Sequence, residues 1–330
     1  MKDNISTCIG IESTAHTFGV SVVSSSGKIF CDVKKTYKPP PGKGIHPREA
    51  AQHHSMYAGE ILSNTIEEYG EKLDLIDTVA FSMGPGLGPC LRTGATVART
   101  LAHSLEKPLT PVHHAIAHLE IGKLITGAID PLAILVSGGH TNITAFADHF
   151  WRIYGETEDI TLGNLIDGFA RQAGLSSPGG PIIEELAKKS QNYIDLPYVV
   201  KGNDVSYSGL LTALSNKLAK GEELADLCYS LQEVAFAMLT EAAERALAHT
   251  ERKEVLLAGG VAANIRLQEM VKQISEDHGA QFFAVPLRFS GDCGAQIAWT
   301  GLQLNARGVE IEIEKSFVKP RWRMDSVYIP

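Results

Sequence analysis

The feature that most constrains this chain of 330 residues is a pattern that occurs twice. Apolar runs at residues 7–11, 18–23 and 29–33, broken by the turns ESTAH and SSSG, read as a three-stranded meander. After Pro131 the order returns, with runs at 132–136, 141–147 and 151–154 broken by SGGH and ADH. Short β-branched runs bounded by small polar residues are hairpin signals, and their repetition implies an internal duplication.

Each meander leads into alternating helices and strands. In the first half, helical periodicity at 47–69 and a buried-type strand at 75–82 precede a Gly/Pro loop, a helix at 91–104 and a strand at 109–112. In the second half, helices are expected at 163–173, 181–190, 208–220 and 222–249, then a strand at 254–257, a helix at 265–276 and a strand at 281–285. A final helix at 292–305 is expected to cross back and pack the carboxyl tail on the first half. The fold class is therefore α/β with two lobes, residues 1–130 plus about 300–330 and residues 131–299, facing one another across a ligand cleft.

Composition excludes several classes. Five cysteines, Cys8, Cys31, Cys90, Cys228 and Cys293, form no C-x-x-C pair, so neither a disulfide framework nor a zinc ribbon is expected. The amino-terminal run MKDNISTCIGIEST turns polar too early for a secretory leader, and no apolar run reaches spanning length, which predicts a cytoplasmic protein with no membrane partner. A formal net charge of −8 is unfavourable for gripping nucleic acid alone, since that affinity comes from clustered Lys and Arg. The basic groups Lys34, Lys35, Lys38, Lys43 and Lys315, Lys319, Arg321, Arg323 are modest.

The chemistry-bearing motifs are distributed along the whole chain. In PVHHAIAHLE, His114 and His118 are four apart, so on a helix both imidazoles share one face and can share a metal ion; the alternative is a pair of hydrogen-bonded core-edge residues. Ala115 after His114 removes the H-E-x-x-H general base and with it a metalloprotease. Ser13 and Thr14 in ESTAH, and Ser137, Gly138 and Gly139 in SGGHT, offer hydroxyl and backbone donors to a phosphate, or simply close hairpins. Gly260 and Asn264 in LLAGGVAANIRL suit a flat heterocycle, or a tightly packed helix cap. Asp167, and Glu184 beside Gly179 and Gly180, can hold ribose hydroxyls or stand as solvated helix acids. Asp292 in SGDCGAQIAW can cap a helix or bind a metal, and MGPGLGPCLRTG can offer a helix amino terminus to an anion or serve as a plain turn. For His46, His53 and His54, capping and packing roles are expected. Neither a Walker A sequence nor a complete G-x-G-x-x-G is present.

Set side by side, GIESTAHTFGV, GIHPREAAQHH, MGPGLGPCLRTG, HHAIAHLEIG, VSGGHT, SYSGL, LLAGGVAANIRL and SGDCGAQIAW resemble, in order and over essentially the full length, the TsaD family of tRNA threonylcarbamoyladenosine transferases, in its archaeal and eukaryotic branch. The resemblance implies a two-lobed actin-like (ASKHA) fold of duplicated ribonuclease H-like domains with an interlobe nucleotide cleft. It implies transfer of a threonylcarbamoyl group from threonylcarbamoyl-AMP to N6 of the adenosine beside the anticodon. It places a divalent metal, Fe before Zn or Mn, on His114, His118 and Asp292, which would act catalytically through it. ATP or the adenylate would lie on the run Leu135, Val136, Ser137, Gly138, Gly139, with Ser13, Thr14, Asp167, Gly180, Glu184, Gly260 and Asn264 around it. The implied partners are tRNA and the KEOPS subunits: a small atypical kinase, a small dimerising subunit and an accessory regulator. Two positions depart from the pattern: Leu135 stands where the archaeal type often has a metal-binding Tyr, and Ser13 where Gly is common. The rival within the same fold is a small-molecule O-carbamoyltransferase or kinase.

Overall fold

The computed structural model describes residues 5–40 and 43–330. The first four residues of the amino-terminal run read above lie outside these. The chain divides into two units, Met1–Pro39, Gly44–Leu124 and Gly291–Pro330 in the first, Pro40–Lys43 and Ile125–Ser290 in the second.

The first unit opens with strands β1 (Thr7–Glu12), β2 (Thr17–Ser24) and β3 (Ile29–Thr36). Helix α1 (Pro47–Tyr69) starts with Pro at its first turn, where no N–H is required, and stops at Gly70, whose φ of 70° suits a left-handed cap. Strand β4 (Thr78–Gly84), helix α2 (Gly88–Leu105), strand β5 (Leu109–His113) and helix α3 (His114–Thr126) follow. The sheet order is β3-β2-β1-β4-β5, the meander antiparallel and β1, β4 and β5 parallel. Leu75, read from the sequence as the start of β4, lies instead in a 3-10 turn and is exposed; an apolar residue on a surface turn mimics a strand residue in pattern alone.

The second unit repeats this plan. Strands β6 (Leu132–Val136), β7 (Thr141–Ala147) and β8 (Phe150–Glu156) form its meander. Helices α4 (Leu162–Gln172) and α5 (Gly179–Ala187), the two-residue strands β9 (Val200–Lys201) and β10 (Asp204–Val205), and helices α6 (Ser208–Ala219) and α7 (Leu224–Thr250) come next. Strand β11 (Glu254–Ala258), helix α8 (Ile265–Asp277), strand β12 (Gln281–Ala284) and the single turn α9 (Leu287–Ser290) complete it. Read outward from its meander, the sheet runs β8-β7-β6-β11-β12, again antiparallel then parallel. The duplication is thus a duplication of topology. Helix α7 supplies much of this unit's core, with Leu231, Phe236 and Leu239 buried against Ile134, Phe169 and Leu257.

The chain re-enters the first unit at Gly291, so α10 (Gly294–Asn305) packs on β1, β2 and β4. The approach is close: a Cβ on Gly10 of β1 would lie 2.6 Å from Ala298 Cα. Ser21 and Val20 of β2 press equally on Gly294. The tail continues on the same unit, where Ile311 N–H donates to Leu109 O, Lys319 N–H to Met83 O, and Trp322 stacks edgewise on His113.

Candidate metal centre

Three segments of the first unit meet at one point. Strand β5 ends at His113 and α3 begins at once with His114, in a helix whose first nine residues are all buried. Apolar residues on every side of HAIAHLEIG drive this burial, and one turn separates His114 from His118, their rings 4.7 Å apart and nearly perpendicular. The close packing of α10 on β1 brings the residue two before it, Asp292, against the same turn. Asp292 Oδ1 lies 3.3 Å from His118 Nε2 and 3.5 Å from His114 Nε2, and three donor atoms, one from each residue, fit within 4.8 Å.

Asp292 does not cap α10. The cap position is Cys293, with no side-chain hydrogen bond, and Ala295 N–H is taken by Asp32 from β3 at 3.2 Å. The capping alternative for Asp292 is therefore removed by a carboxylate 260 positions earlier that the sequence gives no reason to choose.

The electrostatics suit a cation. Burial disfavours a charged His114, but Glu12 and then Asp292 outweigh it and push its pKa up to about 9. His118 moves the other way, because burial dominates over Asp292. Burial would also raise Asp292, yet His118, His114 and His16 hold it well below the carboxylate range. His118 Nδ1 is buried with no hydrogen-bond partner among the described residues. Two imidazoles and one carboxylate with converging ligand atoms fit a borderline divalent metal, which would take the place of the proton that the carboxylates hold on His114.

Glu12, which sequence reading passed over as the polar start of a turn, is fully buried beneath this site. Its Oε1 accepts from Thr14 N–H and Thr14 Oγ1, both at 2.6 Å, and its Oε2 lies 2.9 Å from His114 Nδ1. Thr14 thus turns its two donors inward. Ser13 is directed away as well: its Oγ has no hydrogen-bond partner among the described residues and abuts Gly94 of α2. The loop MGPGLGPC buttresses this turn through Leu87 N–H to Thr14 O at 2.7 Å. His54, buried as expected, faces Ala15 O with Nε2 at 3.1 Å, while His53 packs on Tyr37 and Tyr57. His46 occupies the α1 cap position without a side-chain bond.

The remaining candidates lie in the second unit. The turn Ser137 to Gly139 is solvent-facing, and its Gly138 and Gly139 have no atom within 4 Å of a would-be Cβ. Ser137 Oγ accepts from Gly139 and His140 N–H, and Thr161 Oγ1 donates to Gly138 O at 2.9 Å. Gly259, next to Gly260, lies against Val136 O. Asp167 Oδ1 accepts from Gly179 N–H at 2.8 Å beside Gly180, and Glu184 Oε1 accepts from Ile265 N–H at 3.0 Å. Asn264 takes the capping role: its Oδ1 accepts from Leu267 N–H and its Nδ2 donates to the Gln232 side chain, so its acceptor is spent within the protein. Leu135 is wholly buried in β6 and offers no donor atom.

The family model for tRNA N6-adenosine threonylcarbamoyltransferase matches residues 28–299. A protein of that name from Thermofilum pendens is 52% identical over 98% of this chain and 96% of its own length, and one from Methanopyrus kandleri is 51% identical over the same shares. A probable bifunctional tRNA threonylcarbamoyladenosine biosynthesis protein of Methanocaldococcus jannaschii is 51% identical over 98% of this chain and 60% of its own length. Among solved structures, T. kodakarensis HypF superposes with a TM-score of 0.65 at 16% identity, covering 92% of this chain and 48% of that one. The ADPNP-bound activator of 2-hydroxyisocaproyl-CoA dehydratase from Clostridium difficile superposes with a TM-score of 0.55 at 9% identity, covering 93% and 99%. These likenesses and the two matching sheets give the actin-like α/β fold expected from the sequence. The chain is a transferase of the TsaD family, the tRNA N6-adenosine threonylcarbamoyltransferases.

Proposed function

We propose that this chain transfers the threonylcarbamoyl group from threonylcarbamoyl-AMP to N6 of an adenosine in tRNA, with a divalent metal on His114, His118 and Asp292. The observation that carries the metal assignment is the convergence of those three side chains at a buried point. A metal held by these residues would supply a Lewis acid for an oxygen of the adenylate, easing attack of the N6 amine at the carbamoyl carbon with departure of AMP. The exposed turn Ser137 to Gly139 would receive ATP or the adenylate by exchanging the bonds that Gly139 and His140 N–H make to Ser137 Oγ, with Asp167, Gly180 and Glu184 towards the ribose and Gly260 towards the base.

Support for working with partners comes from charge. Lys34 Nζ donates to the backbone O of Asp292, and Lys35 pairs with Glu60, Lys315 with Glu312 and Arg323 with Asp325, so half of the eight residues in the two basic groups are engaged within the chain. Weak, salt-sensitive tRNA binding by the chain alone follows, with KEOPS-type subunits supplying the rest of the grip. Among the described residues no helix is long and apolar enough to cross a membrane. A tRNA nucleoside assay with threonine, bicarbonate, ATP, the adenylate-forming enzyme and partners tests the reading: threonylcarbamoyladenosine that disappears on chelation and returns with Fe, Zn or Mn supports it. Carbamoylation of a small hydroxyl acceptor in place of tRNA would overturn it in favour of an O-carbamoyltransferase.

A further inference from the structure

We propose that Glu12 is a positioning residue that fixes the tautomer of His114 and thereby sets the affinity of the site for a divalent transition cation. The inference rests on the metal reading above. A fully buried carboxylate is costly unless its lone pairs are used. Glu12 uses them asymmetrically: Oε1 takes both donors of Thr14 at 2.6 Å, which leaves Oε2 aimed at His114 Nδ1, 2.9 Å away. A carboxylate only accepts, so Nδ1 carries a hydrogen in every state of the ring, and the proton that a metal would displace is the one on Nε2, on the side facing Asp292 Oδ1 and His118. Thr14 Oγ1 and Gln296 Nε2, each 3.4 Å from the same Nδ1, close the remaining space around it. The carboxylate–imidazole–metal arrangement raises ligand basicity and holds the ring in one orientation. If Glu12 merely closed the β1–β2 turn, its bonds to Thr14 would suffice and His114 would be incidental.

The test is Co2+ affinity of the purified full chain, measured by competition with a chelating indicator, for wild type, Glu12→Gln, His118→Ala, His114→Ala and the Glu12→Gln/His114→Ala double variant. Glu12→Gln is expected to weaken Co2+ binding about 10- to 100-fold, to leave the melting temperature of the metal-free chain near wild type, and to add nothing once His114 is already Ala. Wild-type affinity in Glu12→Gln while His118→Ala has lost Co2+ overturns the positioning role and leaves the metal site standing. Additive loss in the double variant likewise overturns it. A wild-type chain that binds no Co2+, or a His118→Ala chain that binds it normally, overturns the metal reading and this inference together. Should Glu12→Gln fail to fold, Thr14→Val serves, since it frees one donor from Oε1; about a three- to tenfold loss is expected, and unchanged affinity overturns the proposal.

Discussion

The two meander turns occupy the same place in a duplicated topology and have taken opposite chemistry. In the first unit, the turn between β1 and β2 folds its donors back onto buried Glu12 and is packed from behind by α2. In the second, the turn between β6 and β7 leaves Gly138 and Gly139 facing solvent with free space about them. Duplication supplies the geometry, a small-residue turn at the end of a central strand. One carboxylate separates the two: in the first unit buried Glu12 takes the donors of Thr14 and reaches His114, whereas in the second the hydroxyl of Ser137 takes the N–H groups of Gly139 and His140 at an exposed turn.

If this division is right, the largest effect should come from the first unit's ligands. His118→Ala is expected to lower threonylcarbamoyladenosine formation on the order of a thousandfold, the several kcal/mol a Lewis acid supplies, while ATP binding persists; activity within tenfold of wild type would break the comparison.

Acid should also act on the first unit. Burial lowers His54 to about 4 and His113 to about 3, although backbone carbonyls of Ala15 and Trp322 pull the other way. Both are neutral in the folded chain at pH values where the unfolded chain is protonated. Their contribution is therefore complete above the unfolded value near 6.5 and is lost as pH falls through 6.5 towards 4 and 3. For His54 the loss amounts to about 3 kcal/mol, read as a falling denaturation midpoint between pH 7 and pH 4.5 that is flattened in His54→Gln.

Glycine substitutions sharpen the contrast. A Cβ on Gly94 would lie 2.7 Å from Ser13 Cβ, and one on Gly163 would lie 2.6 Å from Ser137 O. Either change to Ala is expected to cost about 1–3 kcal/mol. Ser13→Gly should relieve Gly94→Ala, and melting curves of the double variant check this. Gly138→Ala, with open space around it, should leave stability unchanged and weaken ATP binding about tenfold, roughly 1.4 kcal/mol, by calorimetry.

What the sequence could reveal follows the range of the interactions. Helix α1 was legible to the residue because Pro47 and Gly70 mark its ends locally. The histidine pair was legible because helical spacing is local, and Asn264 carried its capping alternative on its face. Strands β9 and β10, two residues each, hold too little pattern to register. Glu12 was missed because its partner stands 102 positions away, and a carboxylate ending a strand looks like any turn. Asp32, which relieves Asp292 of capping, is hidden for the same reason. Gly94 reads as a flaw inside a helix until Ser13 is seen against it.

The most direct measurement is the metal content of the anaerobically purified chain by elemental analysis, wild type against Asp292→Asn. The account predicts about one divalent ion per chain in wild type and nearly none in the variant; equal content in both, or none in wild type, would contradict it.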